Sequence, residues 1–476
     1  MRNLRLLCRF IIMGLATVCI VVAFSSPAFK SQISLKEPDI ARIAEGNLTT
    51  RGTAQFLINR DVFAREAIQI GRSLFHHNFA ADKNSGCNGV PCKLRDPKAT
   101  RAWPQSHFEA GSCDTCHSLP AGSAGFGPKE QNTFKVENTI RTNDMFGGGL
   151  IQQLALEATA DLKSASAKGL PHVTANNVNY DTGLGIFDGG TVNRDLVVRP
   201  FGRKGIESHL RAFSTRAAFS RLGIQAQDKF QCPDGDEDEN GRCDGMISAG
   251  LDPDGDGVAD ELTQGSLTIL EHYLINYPVP GRGPITDEVR EGESIFKRIG
   301  CTYCHRPQMQ VRQDPRIEHL TIFWNDKTAR FEAERRFLYD LVDDGYRDPD
   351  RQRPVPLVVP NRRPFVVALY SDLKRHEMGP RLADKNDEMG VSKSVFITRP
   401  LWGIGSYQTF LNDGSASSLQ EAILRHGGEA TRSRNNFARL SRRQKATLVK
   451  FLKSHLLFSV EDILRARIRI TRGDVP

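Results

Sequence analysis

Beyond its first 28 residues the chain lacks any run long and apolar enough to cross a bilayer, which excludes a polytopic membrane protein. It also lacks a strong charge bias. The formal excess is +8, from 64 Lys and Arg against 56 Asp and Glu. Arg2, Arg5 and Arg9 fall in a leader-like start, so 8 minus 3 leaves +5 for the remainder, and nucleic-acid binding gains no support. Apolar residues at 39% and charged residues at 25% are ordinary for a folded soluble protein, so wholesale disorder is excluded too. With 476 residues there is room for two or three cores.

The start itself, MRNLRLLCRFIIMGLATVCIVVAFSSPA, is basic, then apolar from Phe10 to Phe24, then small at Ser26 and Ala28. This pattern predicts a secretory signal over 1–28, cleaved after Ala28, with an uncleaved membrane anchor as the alternative. Cysteine use agrees with export. Cys8 and Cys19 leave with the leader, four cysteines sit in C-x-x-C-H motifs, and Cys87/Cys92 and Cys232/Cys243 remain as two close pairs. An even remainder in adjacent pairs is expected to form two small-loop disulfides in an oxidising compartment, here the bacterial periplasm.

Two motifs organise the rest: Cys113, Cys116, His117 and Cys301, Cys304, His305. Thiols three positions apart each form a thioether to one vinyl group of a haem, and the next histidine becomes the proximal iron ligand. A redox dithiol or half a zinc site would share the first part of the motif, but neither explains two copies without further C-x-x-C partners. Two covalent c-type haems are therefore expected, and their propionates would offset most of the remaining positive charge.

The chain repeats around these motifs. DVFAREAIQIGRSLF, 61–75, reads as an amphipathic helix ending in Gly71-x-x-x-Phe75; Gly292-x-x-x-Phe296 recurs before the second motif. Closing helices are expected after Thr263 and after Ser441, and the Pro/Gly-rich 277–284 marks a boundary. The expected architecture is mainly α, with two cytochrome c-type domains, 29–282 and 283–476, the first swollen by long loop insertions. Two loops of one template precede the first closing helix. They carry Asp236, Asp238, Asn240 and Asp244, then Asp252, Asp254, Asp256 and Asp260, with glycine at the sixth position. Alternating carboxylates of this kind fold round calcium, although Ile247 and Thr263 replace the usual twelfth-position glutamate.

The distal ligands follow from pattern. Ser418-x-x-Glu421 reads as a capping box opening a helix on which Leu419, Ala422, Ile423 and His426 share a face. His426 is the expected second ligand of the His305 iron, with Met378 and then His376 as rivals. No histidine lies between His117 and His172, and Met145 is the nearby soft ligand. The His117 iron is thus expected to stay open, with Gln152, Gln153 and Glu157 as candidates to move a proton above it.

GESIFKRIGCTYCH, YSDLKRHEMGPRLAD and RPLWGIGSYQTFLNDGSASSLQEAILRHGGEA together resemble the bacterial dihaem cytochrome c peroxidase superfamily. The nearest resemblance is to its dihaem oxidoreductase branch, sometimes labelled thiol oxidoreductase. The resemblance implies a distal ligand after the Phe410–Gly414 turn, again His426. It implies a calcium ion between the haems near Asn138 and the Tyr407 and Thr409 backbones, and an aromatic relay at Trp402 or Phe146. It further implies a haem-dependent oxidoreductase of peroxidase type. Expected partners are a small cytochrome c or cupredoxin as electron donor, and peroxide or another small oxidisable substrate. The other readings are a dihaem electron carrier without chemistry of its own, or an oxidase or oxygenase acting on a protein or organic substrate.

Overall fold

The computed structural model describes residues 64–79, 111–119, 124–127, 129–131, 138–167, 174–175, 178–179, 197–222, 224, 226, 230–231, 246–247, 262–277, 279–311, 318–325, 330–337, 365–388 and 391–457. The leader, both close cysteine pairs and all eight acidic-loop residues lie outside this set. Among the described residues no helix is long and apolar enough to cross a membrane.

The architecture is mainly helical with small sheets. Its principal helices are α1 (Ala64–His76), α2 (Gly148–Ala167), α3 (Leu210–Ala217), α4 (Gln264–Ile275), α5 (Asp287–Arg298), α6 (Leu419–Arg425), α7 (Thr431–Ala438) and α8 (Arg442–Lys453). The strands pair two by two and antiparallel. Met309–Val311 pairs with Phe365–Val367, and Arg375–Glu377 with Val395–Ile397.

Local sequence explains the helix starts. Thr263, Thr286 and Ser441 each accept the backbone N–H three residues on, satisfying a donor that the first turn leaves without a partner. At Ser441 the cap is reciprocal, with Gln444 returning to the Ser441 N–H. The box read at Ser418 is shifted. Ser418 accepts from the Glu421 N–H, but the Glu421 carboxylate takes the N–H and hydroxyl of Ser417 instead.

The repeat seen in the sequence is a repeat in packing. A Cβ on Gly71 of α1 would lie 2.5 Å from the Ile269 carbonyl oxygen and from Tyr273 Cβ on α4. A Cβ on Gly292 of α5 would lie 2.4 Å from the Thr447 carbonyl oxygen and 2.7 Å from Phe451 Cβ on α8. Only glycine lets each helix pair approach so closely. One turn later Phe75 meets Tyr273 at 5.7 Å between ring centroids, and Phe296 meets Phe451 at 5.3 Å. Each phenylalanine also faces the histidine of its own motif, His117 at 5.9 Å and His305 at 6.2 Å.

Two apolar cores result. One gathers Phe75, Phe146, Leu150, Leu154, Tyr273 and Tyr277 around α2 and α4. The other gathers Ile295, Phe296, Tyr370, Phe437, Leu448 and Phe451 around α5 and α8. The first core also takes in Val311, Val367, Leu369, Trp402 and Leu457 from far along the chain. Ala368 and Tyr407 pack against both cores.

Candidate functional site

Cys113 and Cys116 sit on one short helical turn, Cys113–Cys116, preceded by Ser112 in extended conformation. The Ser112 hydroxyl is hydrogen-bonded to Asp114, whose other oxygen meets His76 Nδ1 at 2.7 Å. The motif is thereby tied to the end of α1. His117 Nδ1 lies 3.0 Å from the Gly125 carbonyl oxygen. Leu119 and Phe126 exchange backbone hydrogen bonds of 2.9 and 2.8 Å and close the loop that presents this carbonyl. A Cβ on Gly127 would lie 1.6 Å from the Cys116 carbonyl oxygen, so the loop can fold back only with glycine there.

The second motif follows α5 through Gly300, whose φ of +92° turns the chain into Cys301. His305 Nδ1 lies 3.1 Å from the Tyr370 carbonyl oxygen. Tyr370 adopts φ of 52°, a left-handed conformation unusual for tyrosine. Its hydroxyl donates to Glu293 at 3.0 Å, and His455 and Phe451 meet its ring edge-on.

Cys301, Cys304 and His305 line a cavity of about 510 Å³, within the usual range for a bound organic ligand. Facing them on its walls are His426, Met378, Leu419, Ile423 and Trp402. His426 caps α6, and its Nδ1 lies 2.7 Å from the Ala422 carbonyl oxygen. All three histidines, His117, His305 and His426, therefore engage Nδ1 with a backbone carbonyl, the orientation a metal-ligating histidine uses, and His117 has a second backbone partner at Asn143. The rival His376 differs. Its Nε2 meets Asp372 at 2.9 Å and its Nδ1 meets Glu429 at 2.7 Å, so both ring nitrogens are taken by carboxylates. Cys304, Asp372 and His376 also form the cluster closest to a metal-ion site among the described residues.

The electrostatics suit this use. Burial pulls the His117 and His305 pKa values down to about 4, keeping both rings neutral near pH 7. Burial, helped by Asp114 at Cys113 and by Cys304 at Cys301, pushes both thiols up to about 12. A redox dithiol or zinc thiolate needs the opposite shift.

Sequence reasoning missed a buried polar cluster on the wall between the two cores. Tyr407 donates to Asp144, and Arg141 stacks over the Tyr407 ring at 4.2 Å. Arg141, Asp144, Arg399 and Tyr407 all line the cavity. Arg141 Nε and Nη1 and Arg399 Nε are buried without a hydrogen-bond partner. Asp144 offsets part of this positive charge, and the guanidinium donors left over can hold a further anionic group such as the propionates of a haem. No periodicity marks these residues; only folding brings 141 and 144 beside 399 and 407.

The proton-moving candidates are buried in α2 rather than solvent-facing. The Gln152 side-chain oxygen accepts from the Leu210 N–H at 2.6 Å, capping α3, and Gln153 Nε2 donates to Glu157 Oε1 at 3.1 Å. The Trp402 indole donates to the Ala368 carbonyl at 2.8 Å, and its ring closes on Gly147. Phe146 packs on Tyr277 at 4.8 Å and shares the cavity wall with Trp402. The Asn138 side chain is committed to the backbone of Asn386, donating to its carbonyl at 3.1 Å and accepting its N–H at 3.0 Å.

A neutral histidine pair across a cavity, a thiol at Cys301 whose pKa burial raises, and spare guanidinium donors at its wall define a protein built to hold haem. Residues 363–455 match the model of the family described as di-haem oxidoreductase, putative peroxidase. A chain of Kuenenia stuttgartiensis hydrazine synthase, solved under 20 bar of xenon, is similar at 14% identity and a TM-score of 0.35; 85% of this chain and 92% of that chain are covered. Likeness at that level carries no statement about this chain. No curated protein matches the sequence.

Proposed function

We propose that the protein is a periplasmic dihaem c-type cytochrome oxidoreductase that reduces peroxide with electrons from a small cytochrome c or cupredoxin. Its two cytochrome c-type domains would be 29–282 and 283–476, following a signal peptide over 1–28. The observation that carries this reading is His305 and His426 lining one cavity, each with Nδ1 held by a carbonyl.

Bound haem supplies one-electron transfer and cleavage of the peroxide O–O bond. The chain supplies the rest. Cys113 and Cys116 would hold one group and Cys301 and Cys304 the other, with His117 and His305 as their histidine ligands. His426 would be the second ligand at the C-terminal site, Met378 being the rival, and the His117 site would stay open to substrate. The Glu157 carboxylate, oriented by Gln153, takes up and returns the proton that peroxide cleavage requires. Trp402 and Phe146 keep water from the wall between the sites and offer π-systems for electron passage. The acidic loops, Asp236 to Asp244 and Asp252 to Asp260, would hold calcium in a structural role.

An optical spectrum of the purified ferric protein tests the reading. A high-spin band that shifts on adding peroxide or cyanide is expected. A wholly low-spin, ligand-inert spectrum would leave only an electron carrier.

A further inference from the structure

We propose that Asp372, His376 and Glu429 form a strut that fixes where His426 stands across the cavity from His305, with His376 as a positioning residue rather than a ligand. The proposal rests on the dihaem reading, because it needs an iron that His426 can hold.

The strut starts behind His305. The Tyr370 carbonyl that holds His305 Nδ1 opens a turn with non-glycine residues at positive φ, Tyr370 at 52° and Leu373 at 53°. Between them the Ser371 hydroxyl donates to the Thr398 carbonyl at 2.6 Å and accepts the Leu373 N–H at 2.9 Å. Asp372 is buried in this turn. One of its carboxylate oxygens accepts the Lys374 N–H at 2.9 Å, and the other meets His376 Nε2 at 2.9 Å.

The far end is the loop that follows His426. Glu429 turns one oxygen to His376 Nδ1 at 2.7 Å and the other to the Glu377 N–H at 2.9 Å. Between these bonds the two backbones lie against each other. A Cβ on Gly427 would lie 2.8 Å from the Met378 carbonyl oxygen, one on Gly379 would lie 2.8 Å from the Gly428 nitrogen, and one on Gly428 would meet the Glu377 carbonyl oxygen. The Glu377 side chain closes the corner by accepting the Gly379 N–H at 2.8 Å. Residues 427–429 are therefore seated on 376–379, and His426 immediately precedes them. His305, His376, His426 and Glu429 all line the cavity.

The chemistry of the ring suits a strut and not a ligand. An imidazole with both nitrogens on carboxylates offers no lone pair to iron, and it donates at both only as the imidazolium. A cation between two anions makes short, directional bonds, and removing either end leaves a buried charge without its partner. The other charges nearby sit at the two ends, Arg306 beside Asp372 and Lys374 beside Glu429. Cys304 lies within 4.8 Å of both Asp372 and His376. A metal ion held by those three would need Cys304 as a free thiolate, which thioether attachment removes. A histidine that only filled core space would need one hydrogen-bonded nitrogen; this one bridges the segment behind His305 and the segment after His426. Groups that orient a metal-binding histidine without touching the metal set how firmly it binds.

The test is a cyanide titration of the full-length ferric protein, followed by optical and electron paramagnetic resonance spectra. Two phases are expected, a tight one at the open His117 site and a weaker one at the His305 site, where cyanide must displace His426. Glu429→Ala and His376→Phe should each strengthen the second phase by about tenfold, the scale on which outer partners of a metal-bound histidine act. Both should shift the g values of the bis-histidine low-spin signal and leave the first phase unchanged. Glu429→Gln keeps an acceptor for one of the two bonds, is safer for folding, and should fall between. His426→Ala is the reference and should remove that low-spin signal. If it does so while Glu429→Ala and Glu429→Gln leave the second phase where it was, the strut is overturned and the dihaem reading stands. A lower urea midpoint in the variants with an unmoved second phase would make the triad merely structural, and would overturn the proposal too. A low-spin signal that survives His426→Ala, or a protein purified without haem absorbance, would take away the ligand reading and the strut with it.

Discussion

His117 and His305 are reached by the same motif and held by the same kind of hydrogen bond, yet the carbonyls that hold them are built differently. Gly125 lies in a short loop closed by the Leu119–Phe126 pair. Tyr370 is a left-handed residue whose ring is trapped by Phe296, Phe451 and His455 and whose hydroxyl is tied to Glu293. A tyrosine at positive φ costs about 1–3 kcal/mol and persists only where its neighbours over-determine it. The comparison teaches that one motif can serve two rigidities. The histidine at the C-terminal site is locked from behind, while that at the N-terminal site rests on an economical turn.

The largest effect expected from breaking this comparison comes from the thiols. Cys301→Ala/Cys304→Ala should lose about one haem mass and about half of the haem stain, and Cys113→Ala/Cys116→Ala the same. Intact-protein mass spectrometry reads both, and an unchanged mass in either variant would remove that attachment site. Next is His426→Ala, which should make the two sites alike. A high-spin ferric component should grow in its spectrum, while Met378→Ala leaves the spectrum as it was; the reverse pattern would transfer the ligand role to Met378.

Gly71→Ala and Gly292→Ala sharpen the packing repeat. Each should cost about 1–3 kcal/mol in urea unfolding, because the new methyl meets helix backbone at 2.4–2.5 Å. A neutral result at one of them would mean that the two helix pairs are not equivalent. Tyr370→Phe removes the hydroxyl that donates to Glu293 and accepts a long bond from Arg282, and should cost about 1 kcal/mol.

The remaining effect concerns pH. Burial, and then the Arg282 charge, lower the His455 pKa to about 3. The folded state therefore refuses a proton that the unfolded chain accepts below about 6.5. This contribution is fully present above that pH and is lost as pH falls toward 3, at up to about 1.4 kcal/mol per unit. His455→Phe should flatten that part of the stability curve, measured by urea midpoints between pH 4 and 7; an unchanged slope would show that other groups govern it.

Much of this was legible because it is local. Motif spacing, the glycine-to-phenylalanine interval and the helix starts at Thr263 and Ser441 each act within a few positions, and each has its counterpart in the structure. His426 on the cavity wall was legible for the same reason, through the face it shares with Leu419 and Ala422. The Asp144–Tyr407 pair and the spare donors of Arg141 and Arg399 were not, since neither partner carries a signal without the other. Nor could the sequence tell that Gln152 caps α3, because that needs Leu210 brought to it across 58 positions. Tyr370 was hidden too, as no pattern marks a tyrosine for positive φ.

Trp402 and Leu457 belong to the core around α2 and α4, and the Asn138 side chain is clasped by the backbone of Asn386. The first motif therefore leaves a ribosome or a translocation channel nearly three hundred residues before the chain that completes its surroundings. During that interval Cys113 and Cys116 belong to an unfinished body. Synthesis order thus opens a window at the first motif that is much narrower at the second, whose last core residue follows within about 150 positions.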